Sequence, residues 1–338
     1  MKRLVLAAAL AVSPLVAFAQ TPNPIVGDIV DAHILPRFQA LAGVSGLLAT
    51  TAQNDCDSGS ESLHAAYDDA FTAWVSASHL RFGPTEVDDR AFALAFWPDS
   101  RGATPRSLAT LIADQDPVAA SPDDYAHVSI AARGFYAMEF LLFDDTLKTQ
   151  GDANYRCTLI QTMAADIAAT STAILQDWTS DYRARLLAPS ATGTYHSDDE
   201  VLQELFKALT TGLQFTSDTR LGRPLGTFDR PRPKRAEVWR SARSADHVRL
   251  NLVALDDLAK RLAGDHPALA NKINASFAQA LKQLDAMDDP AFAGVADQQG
   301  RFKLELLQQS IDTTRALVRD ELGPTLGVAS GFNALDGD

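Results

Sequence analysis

Apolar side chains recur every three to four residues along most of the chain, which is the spacing of one buried helix face. In one segment, Leu63, Tyr67, Phe71 and Trp74 fall on a single stripe. Strict alternation of apolar and polar residues, which would indicate strands, is rare. The pattern therefore predicts an all-α fold. Eight helices are expected, at residues 24–53, 60–80, 123–143, 154–187, 198–215, 244–262, 267–287 and 298–322.

The predicted helices form two sets of four, separated by a break at residues 189–197. We therefore expect two four-helix-bundle-like domains in tandem, at residues 20–188 and 197–323, followed by a tail at 324–338. No residue-level identity relates the two halves, so an origin by duplication rests on this arrangement alone.

Two stretches without helical spacing interrupt the pattern, at residues 81–122 and 217–241. Long loops inside compact domains are usually functional or disordered. The first stretch contains Phe82, Phe96 and Trp97, and these aromatic residues favour ordered packing. Both stretches are therefore predicted to be long ordered loops.

The N-terminus has the pattern of a secretory signal peptide. A basic start is followed by an apolar run, and Ala17 and Ala19 fit the small-x-small cleavage pattern. We expect residues 1–19 to be removed, giving a soluble periplasmic protein. The alternative is an uncleaved membrane anchor, but the run is short and contains Pro14. Because no cysteine lies at the cleavage site, a lipoprotein is not expected.

The two cysteines, Cys56 and Cys157, are expected to form a disulfide, because export places them in an oxidising compartment. Cys56 lies in the predicted turn between the first two helices, and Cys157 lies near the start of the fourth. In an up-down-up-down bundle both positions lie at the same end. The alternative is a pair of free buried thiols.

Charge is unevenly distributed along this acidic chain. Lys and Arg number 30 against 43 Asp and Glu, a net charge of −13, which argues against general nucleic-acid binding. Residues 220–249, here called the basic stretch, carry nine basic against three acidic side chains. This stretch is either an anion site or docking patch, or it pairs with acidic faces of the bundles.

Glu139 is the most informative candidate for chemistry, because it lies within an apolar stripe. It follows Phe135 by four residues and precedes Leu142 by three. A carboxylate there costs several kcal/mol unless it is paired, protonated or metal-bound. Tyr136 lies one turn earlier, close to the same face. Glu139 is therefore either half of a buried Glu–Arg ion pair or a functional carboxylate.

The segment Gly134–Leu142 resembles the Gly-x-His-x-x-Glu motif of the imelysin family, the insulin-cleaving-membrane-protease-like proteins, with Tyr136 in place of the histidine. The resemblance extends in order over nearly the whole mature chain. It implies two helical bundles with a pocket between them, in an exported cell-envelope protein linked to bacterial iron acquisition. Its further elements are Ile34–Arg37, Trp74 followed by Arg81–Pro84, Glu237–Ser244 and Gly331–Asp338.

From this resemblance and these residues we expect a non-catalytic binding or accessory protein in iron acquisition, with its ligand in the pocket between the bundles. Glu139 and Tyr136 could bind iron or another metal ion, since hard ferric iron favours oxygen ligands. Arginines in the pocket could hold a small anionic carrier such as a citrate-like group. An envelope protein is a further candidate partner. The predicted ligand-binding residues are Arg81, Trp97, Arg240, Arg243 and Ser244.

Two other functions stay open. The first is a metallopeptidase-like hydrolase, since family members are classed as metallopeptidases by name. However, the chain has no His-Glu-x-x-His motif, and Tyr136 makes a poor zinc-water site, so an enzyme is not expected. The second is a non-metal interaction module that docks a protein or polyanion through the basic stretch.

Overall fold

The computed structural model describes residues 22–328. The predicted signal peptide and residues 329–338 of the predicted tail lie outside the described residues. Within residues 22–328 the regular elements are helices, and the only extended pairing is a single bridge between Thr227 and Arg230. The predicted all-α fold is confirmed. None of the helices in this range combines the length and the apolar character that crossing a bilayer requires.

The N-terminal half of the chain contains seven α-helices within the described residues. Several long helices contain a π-helical turn, and we treat each such helix as continuous. The bounds are α1 (Pro24–Ile29, Val30–Ile34 and Leu35–Asn54), α2 (Glu61–Ala77), α3 (Arg90–Leu94), α4 (Ala103–Asp114), α5 (Pro122–Tyr125), α6 (Gly134–Phe143) and α7 (Ala153–Asp177, Trp178–Tyr182 and Arg183–Leu187).

The helices of the C-terminal half follow after residues 188–197. Their bounds are α8 (Asp198–Gln214, Phe215–Leu221 and Gly222–Leu225), α9 (Ser244–Ala263), α10 (Pro267–Asp285) and α11 (Gln298–Leu317, Val318–Leu322 and Gly323–Leu326).

Several long helices begin at a residue whose side chain accepts a backbone N–H of the first turn. Ser60 Oγ accepts from Leu63 N at 3.2 Å, and Asp152 Oδ1 accepts from Tyr155 N at 2.9 Å. Such caps satisfy backbone donors that have no partner inside the helix. The same arrangement starts α1 at Asn23, α8 at Ser197 and α11 at Asp297.

Helices pack against one another within each half of the chain and also between the halves. In the first half, α1 packs against α2 and α7, and α6 packs against α7. In the second half, α10 lies between α9 and α11, and α8 contacts both of these. The halves meet where α9 packs against α2, and buried apolar side chains of both halves form one cluster. The division into two domains with the stated boundaries stays a prediction.

The structure corrects the predicted helix at residues 123–143. It is broken into α5, a 3₁₀ turn at Ile130–Ala132, and α6, which begins at Gly134. Gly134 has φ +74°, and a Cβ there would collide with the backbone carbonyls of Ala93 and Leu94. This glycine therefore starts a helix against α3, because only glycine fits both that conformation and that approach.

The two predicted loops are also shorter than expected. The stretch 81–122 contains α3 and α4, and α4 buries Leu108 and Ile112 one turn apart. The stretch 217–241 begins inside α8, which continues through a π-helical turn to Leu225. A π turn changes the spacing of the buried residues, so the three-to-four pattern is lost there although the helix continues.

Cys56 and Cys157 form a disulfide with a Cα–Cα distance of 5.1 Å. It joins the turn between α1 and α2 to the N-terminal part of α7. The bridge spans 101 residues of sequence. In the chain-entropy model it raises the free energy of the unfolded chain by about 4–5 kcal/mol.

Candidate functional site

A cavity of about 210 Å³ lies between α6, the start of α4 and the segment that precedes α9. Four predicted site residues line it, namely Trp97, Tyr136, Glu139 and Arg240. Arg223, which was not predicted, also lines it. The structure therefore brings together side chains that lie up to about 140 residues apart in the sequence.

The segment that closes the cavity is a strained turn. Val238 has φ +45° and is buried, and Ala242 has φ +56°. A β-branched residue at positive φ is a genuine outlier, and such strain clusters at functional sites. The turn carries Trp239, Arg240 and Ser241 toward α6.

Glu139 is 3% exposed and is held by this turn. Its Oε1 accepts hydrogen bonds from Ser241 N at 3.2 Å and from Ser241 Oγ at 3.1 Å. Burial raises the pKa of the Glu139 carboxyl to about 7, although the charge of Arg240 and the Ser241 hydrogen bonds oppose the shift. Near neutral pH this group therefore exists in both protonated and ionised forms.

Glu139 does not pair with Arg133, its nearest basic neighbour in sequence. Arg133 instead pairs with Asp166, with Nη2 2.7 Å from Oδ1. Within residues 22–328, Glu139 forms no ion pair as close as 4 Å. Its environment differs from that of a carboxylate neutralised by an adjacent guanidinium.

Tyr136 connects the cavity to a buried charge pair. Its hydroxyl donates to Glu237 Oε1, and Arg220 Nε donates to Glu237 Oε2 at 2.6 Å. Burial alone would raise the pKa of Glu237, but Arg220 and His247 hold it well below its usual range. Burial also raises the pKa of Tyr136, so the phenol stays protonated and remains a donor. The Trp97 ring stacks on Tyr136 with ring centroids 6.0 Å apart.

A family model described as Imelysin matches residues 34–318. The chain belongs to the imelysin family. It is 26% identical over 313 residues to Iron-regulated protein A of Synechococcus elongatus, an alignment that covers 86% of this chain and 82% of that protein. The resemblance expected from the sequence is confirmed.

Solved structures show the same fold. An imelysin-like protein from Psychrobacter arcticum superposes with a TM-score of 0.75 at 20% identity, covering 91% of this chain and 96% of that one. A protein described as an iron-regulated protein A precursor of Parabacteroides distasonis gives a TM-score of 0.73 at 14% identity, covering 88% and 94%.

Three predicted ligand-binding residues of this imelysin-family chain do not line the cavity. Arg81 Nε pairs with Glu86 Oε1 at 2.6 Å, and Arg243 Nη1 pairs with Asp68 Oδ1 at 2.8 Å on α2. Ser244 Oγ donates to the backbone carbonyl of Glu237. The polar groups of these three residues are already used within the protein.

Arg240 lines the cavity while its charge is already paired. Its Nε donates to Asp144 Oδ2 at 2.8 Å, and its guanidinium lies 3.8 Å above the centre of the Phe140 ring. Binding a ligand through this guanidinium would compete with Asp144. Arg240 therefore lines the cavity and adds positive potential to it, but it offers few free hydrogen-bond donors to a ligand.

Arg223 is a candidate site residue that the sequence did not single out. Its guanidinium lies 5.6 Å from the centre of the Trp97 ring, and its Nε is buried without a hydrogen-bond partner. It forms no ion pair within residues 22–328, and Nη1 reaches Ser100 Oγ only at 3.5 Å. Burial and the charge of Arg235 lower the pKa of this guanidinium. Membership of the basic stretch was the only signal in the sequence.

The donor groups around the cavity do not fit a bare ferric ion. The Tyr136 hydroxyl is used by Glu237, and within the described residues no three His, Cys, Asp or Glu side chains form a metal-binding group. Asp99, the second acid of the wall, accepts backbone N–H groups of Ala103 and Thr104. The cationic side chains of the wall, Arg223, Lys234, Arg235 and Arg240, outnumber the two acids.

Proposed function

We propose that this protein is an exported, non-catalytic accessory protein of iron handling that binds a small carboxylate-bearing anion in the cavity. A ferric chelate of the citrate type has this chemistry. The iron role is supported by the name of the relative that covers most of the chain. The observation that carries the anion proposal is Arg223, a guanidinium with a buried, unpartnered N–H in the cavity wall.

The cavity electrostatics support an anion over a cation. Arg223, Lys234 and Arg235 form no ion pairs within residues 22–328, so no described carboxylate oxygen lies within 4 Å of their charged nitrogens. Guanidinium groups bind carboxylates in a bidentate manner with charge-assisted hydrogen bonds. Protonated Glu139 could donate to a bound carboxylate, whereas ionised Glu139 would repel it.

Aromatic side chains support a bound organic molecule. Trp97, Phe140, Tyr136 and Trp239 line the same cavity as the cations. Small-molecule sites commonly combine apolar walls with a few placed polar groups. An iron ion would therefore enter as part of its chelate, held through the carboxylates of the carrier.

An equilibrium titration tests the proposal, with citrate, ferric citrate and Fe³⁺ alone as the probes. Citrate and ferric citrate should bind to the wild-type protein. Arg223→Gln should weaken both by at least about tenfold, because a charged hydrogen bond contributes about 1.5–3 kcal/mol. Arg81→Gln is the matched control, because Arg81 is paired with Glu86 outside the cavity.

Three results would overturn the proposal. The first is citrate binding that Arg223→Gln leaves unchanged, and the second is no binding of either citrate form. The third is binding of Fe³⁺ alone that is lost in Glu139→Gln, which would instead support the predicted metal site at Glu139 and Tyr136.

A further inference from the structure

The most exposed large apolar side chain of the described residues lies at the tip of a turn. Phe228 is 79% exposed. The turn is closed by the Thr227–Arg230 bridge, with Arg230 N donating to Thr227 O at 3.0 Å. We call residues 226–235 the basic loop. Covering this ring would remove apolar surface from water, which is favourable.

The ring is held in this position by contacts from α11. Arg301 Nη1 donates to Leu225 O at 2.8 Å and to Thr227 O at 3.1 Å. The same guanidinium lies 5.5 Å from the centre of the Phe228 ring. The base of the loop is therefore fixed to the helix, and the exposed ring projects from a supported turn.

The basic loop also concentrates uncompensated positive charge. Arg230, Arg232, Lys234 and Arg235 are all exposed. None of them forms an ion pair in the part of the chain that the structure describes. Asp229 is the one acidic residue of the loop, while the protein as a whole carries a net charge of −13. The alternative that the basic stretch pairs with acidic faces of the bundles therefore does not hold for this loop.

We propose that the basic loop docks the protein onto an anionic phospholipid surface. Phe228 would enter the boundary between headgroups and acyl chains, and Arg230 and Arg232, which do not line the cavity, would contact lipid phosphates. An aromatic ring beside several basic residues is the combination that binds such surfaces. This proposal does not depend on the ligand of the cavity.

Size favours a lipid surface over a protein partner. A stable protein interface uses about 20–30 residues of each partner, whereas this loop has ten residues and one large exposed apolar side chain. Binding to a bilayer requires only that the ring inserts and that the cations are attracted to the surface. Each basic residue near an anionic surface strengthens binding about fivefold.

Sedimentation with lipid vesicles tests the proposal, using the chain processed after Ala19. Vesicles of phosphatidylglycerol and phosphatidylcholine should bind the protein at low salt, and pure phosphatidylcholine vesicles should not. Phe228→Ala should weaken binding about tenfold, and Arg230→Gln with Arg232→Gln about twenty-five-fold together. Raising the salt concentration should release the protein, because exposed charges are screened.

Controls separate the loop from general effects of charge and hydrophobicity. Leu47→Ala removes another exposed apolar residue, 64% exposed on α1, and Lys282→Gln removes an exposed cation on α10. Both should bind vesicles like the wild type. The loop variants should keep their thermal unfolding midpoint and their citrate affinity, since Phe228, Arg230 and Arg232 do not line the cavity.

The proposal is overturned if anionic vesicles do not bind at low salt, or if the loop variants bind as well as the wild type. It is also overturned if a soluble polyanion such as polyglutamate binds as tightly as the vesicles and Phe228→Ala leaves both affinities unchanged. That last result would indicate an acidic macromolecular partner.

Discussion

The phenol of Tyr136 donates a hydrogen bond to the carboxylate of Glu237, 101 residues further along the chain. The contact joins α6 to the strained turn before α9. Glu237 is 1% exposed, so it depends on Tyr136 and Arg220 to offset the cost of burying its charge.

Tyr136→Phe should lower the free energy of unfolding by about 1–3 kcal/mol, because it removes a donor from a buried carboxylate while keeping the ring on Trp97. Chemical denaturation measures the change. Tyr155→Phe is a suitable control, since its hydroxyl donates to the backbone carbonyl of Asp116 at a half-buried position. An equal loss in both variants would contradict a special role for the Tyr136–Glu237 contact.

The affinity for citrate should fall as pH rises through about 7. Glu139 is a carboxyl with a raised pKa, so it gains its negative charge in this range and then repels an anion. If only the protonated form binds, the affinity drops about tenfold between pH 6 and pH 8. Titration calorimetry at both pH values measures this drop.

Glu139→Gln should remove that pH dependence, because the amide stays neutral. Its affinity for citrate at pH 8 should equal or exceed that of the wild type. Affinity that instead rises with pH in the wild type and is lost in Glu139→Gln would indicate a cationic ligand.

Protein stability should decrease between about pH 6.5 and pH 4 through His33. Its Nδ1 lies 2.7 Å from Asp257 Oδ2, and its Nε2 lies 2.8 Å from His79 Nε2. Burial, opposed by the hydrogen bond to Asp257, lowers the pKa of His33 to about 4. The unfolded chain therefore binds a proton in this range that the folded chain does not, so stability falls as pH falls.

This loss should be about 2 kcal/mol from His33 between pH 6.5 and pH 5. His33→Gln cannot titrate and should show a correspondingly smaller decrease, measured by denaturation at both pH values. His64→Gln is the control, because His64 is a partly exposed histidine hydrogen-bonded to Ser58 O. Equal slopes for wild type and His33→Gln would contradict this assignment.

Replacing both Cys56 and Cys157 by alanine should lower the free energy of unfolding by about 2–5 kcal/mol. The reason is that the unfolded chain regains the freedom that the bridge removes. Reducing the wild-type protein should give the same loss, measured by thermal unfolding with and without reductant. A double variant as stable as the oxidised wild type would show that the bridge adds no stability.

Helix positions could be predicted because burying a stripe of apolar residues imposes a spacing that the sequence shows directly. The position of Cys157 at the same end of the bundle as Cys56 follows from that arrangement. The start of α6 could not be predicted in this way. Nothing in the local sequence shows that Gly134 has positive φ or that it abuts α3.

The candidate site was predicted only in part, for an electrostatic reason. Glu139 stands out as a carboxylate in an apolar stripe. Which arginine is free depends on which carboxylates the tertiary fold places nearby. Asp144 pairs with Arg240 and Asp68 pairs with Arg243, whereas Arg223 forms no ion pair within the described residues. The spacing of residues along the sequence does not reveal these tertiary distances.

The contact of Gly134 with the main chain of α3 has a consequence for how the family can vary. Because backbone packing sets the start of α6, a change of side chain at position 136 need not move position 139. Position 136 can therefore carry the histidine of the motif that this segment resembles, or the tyrosine of this chain, while the backbone of α6 stays in place. Single substitutions could then alter ligand preference in a lineage without first requiring the core to be rebuilt.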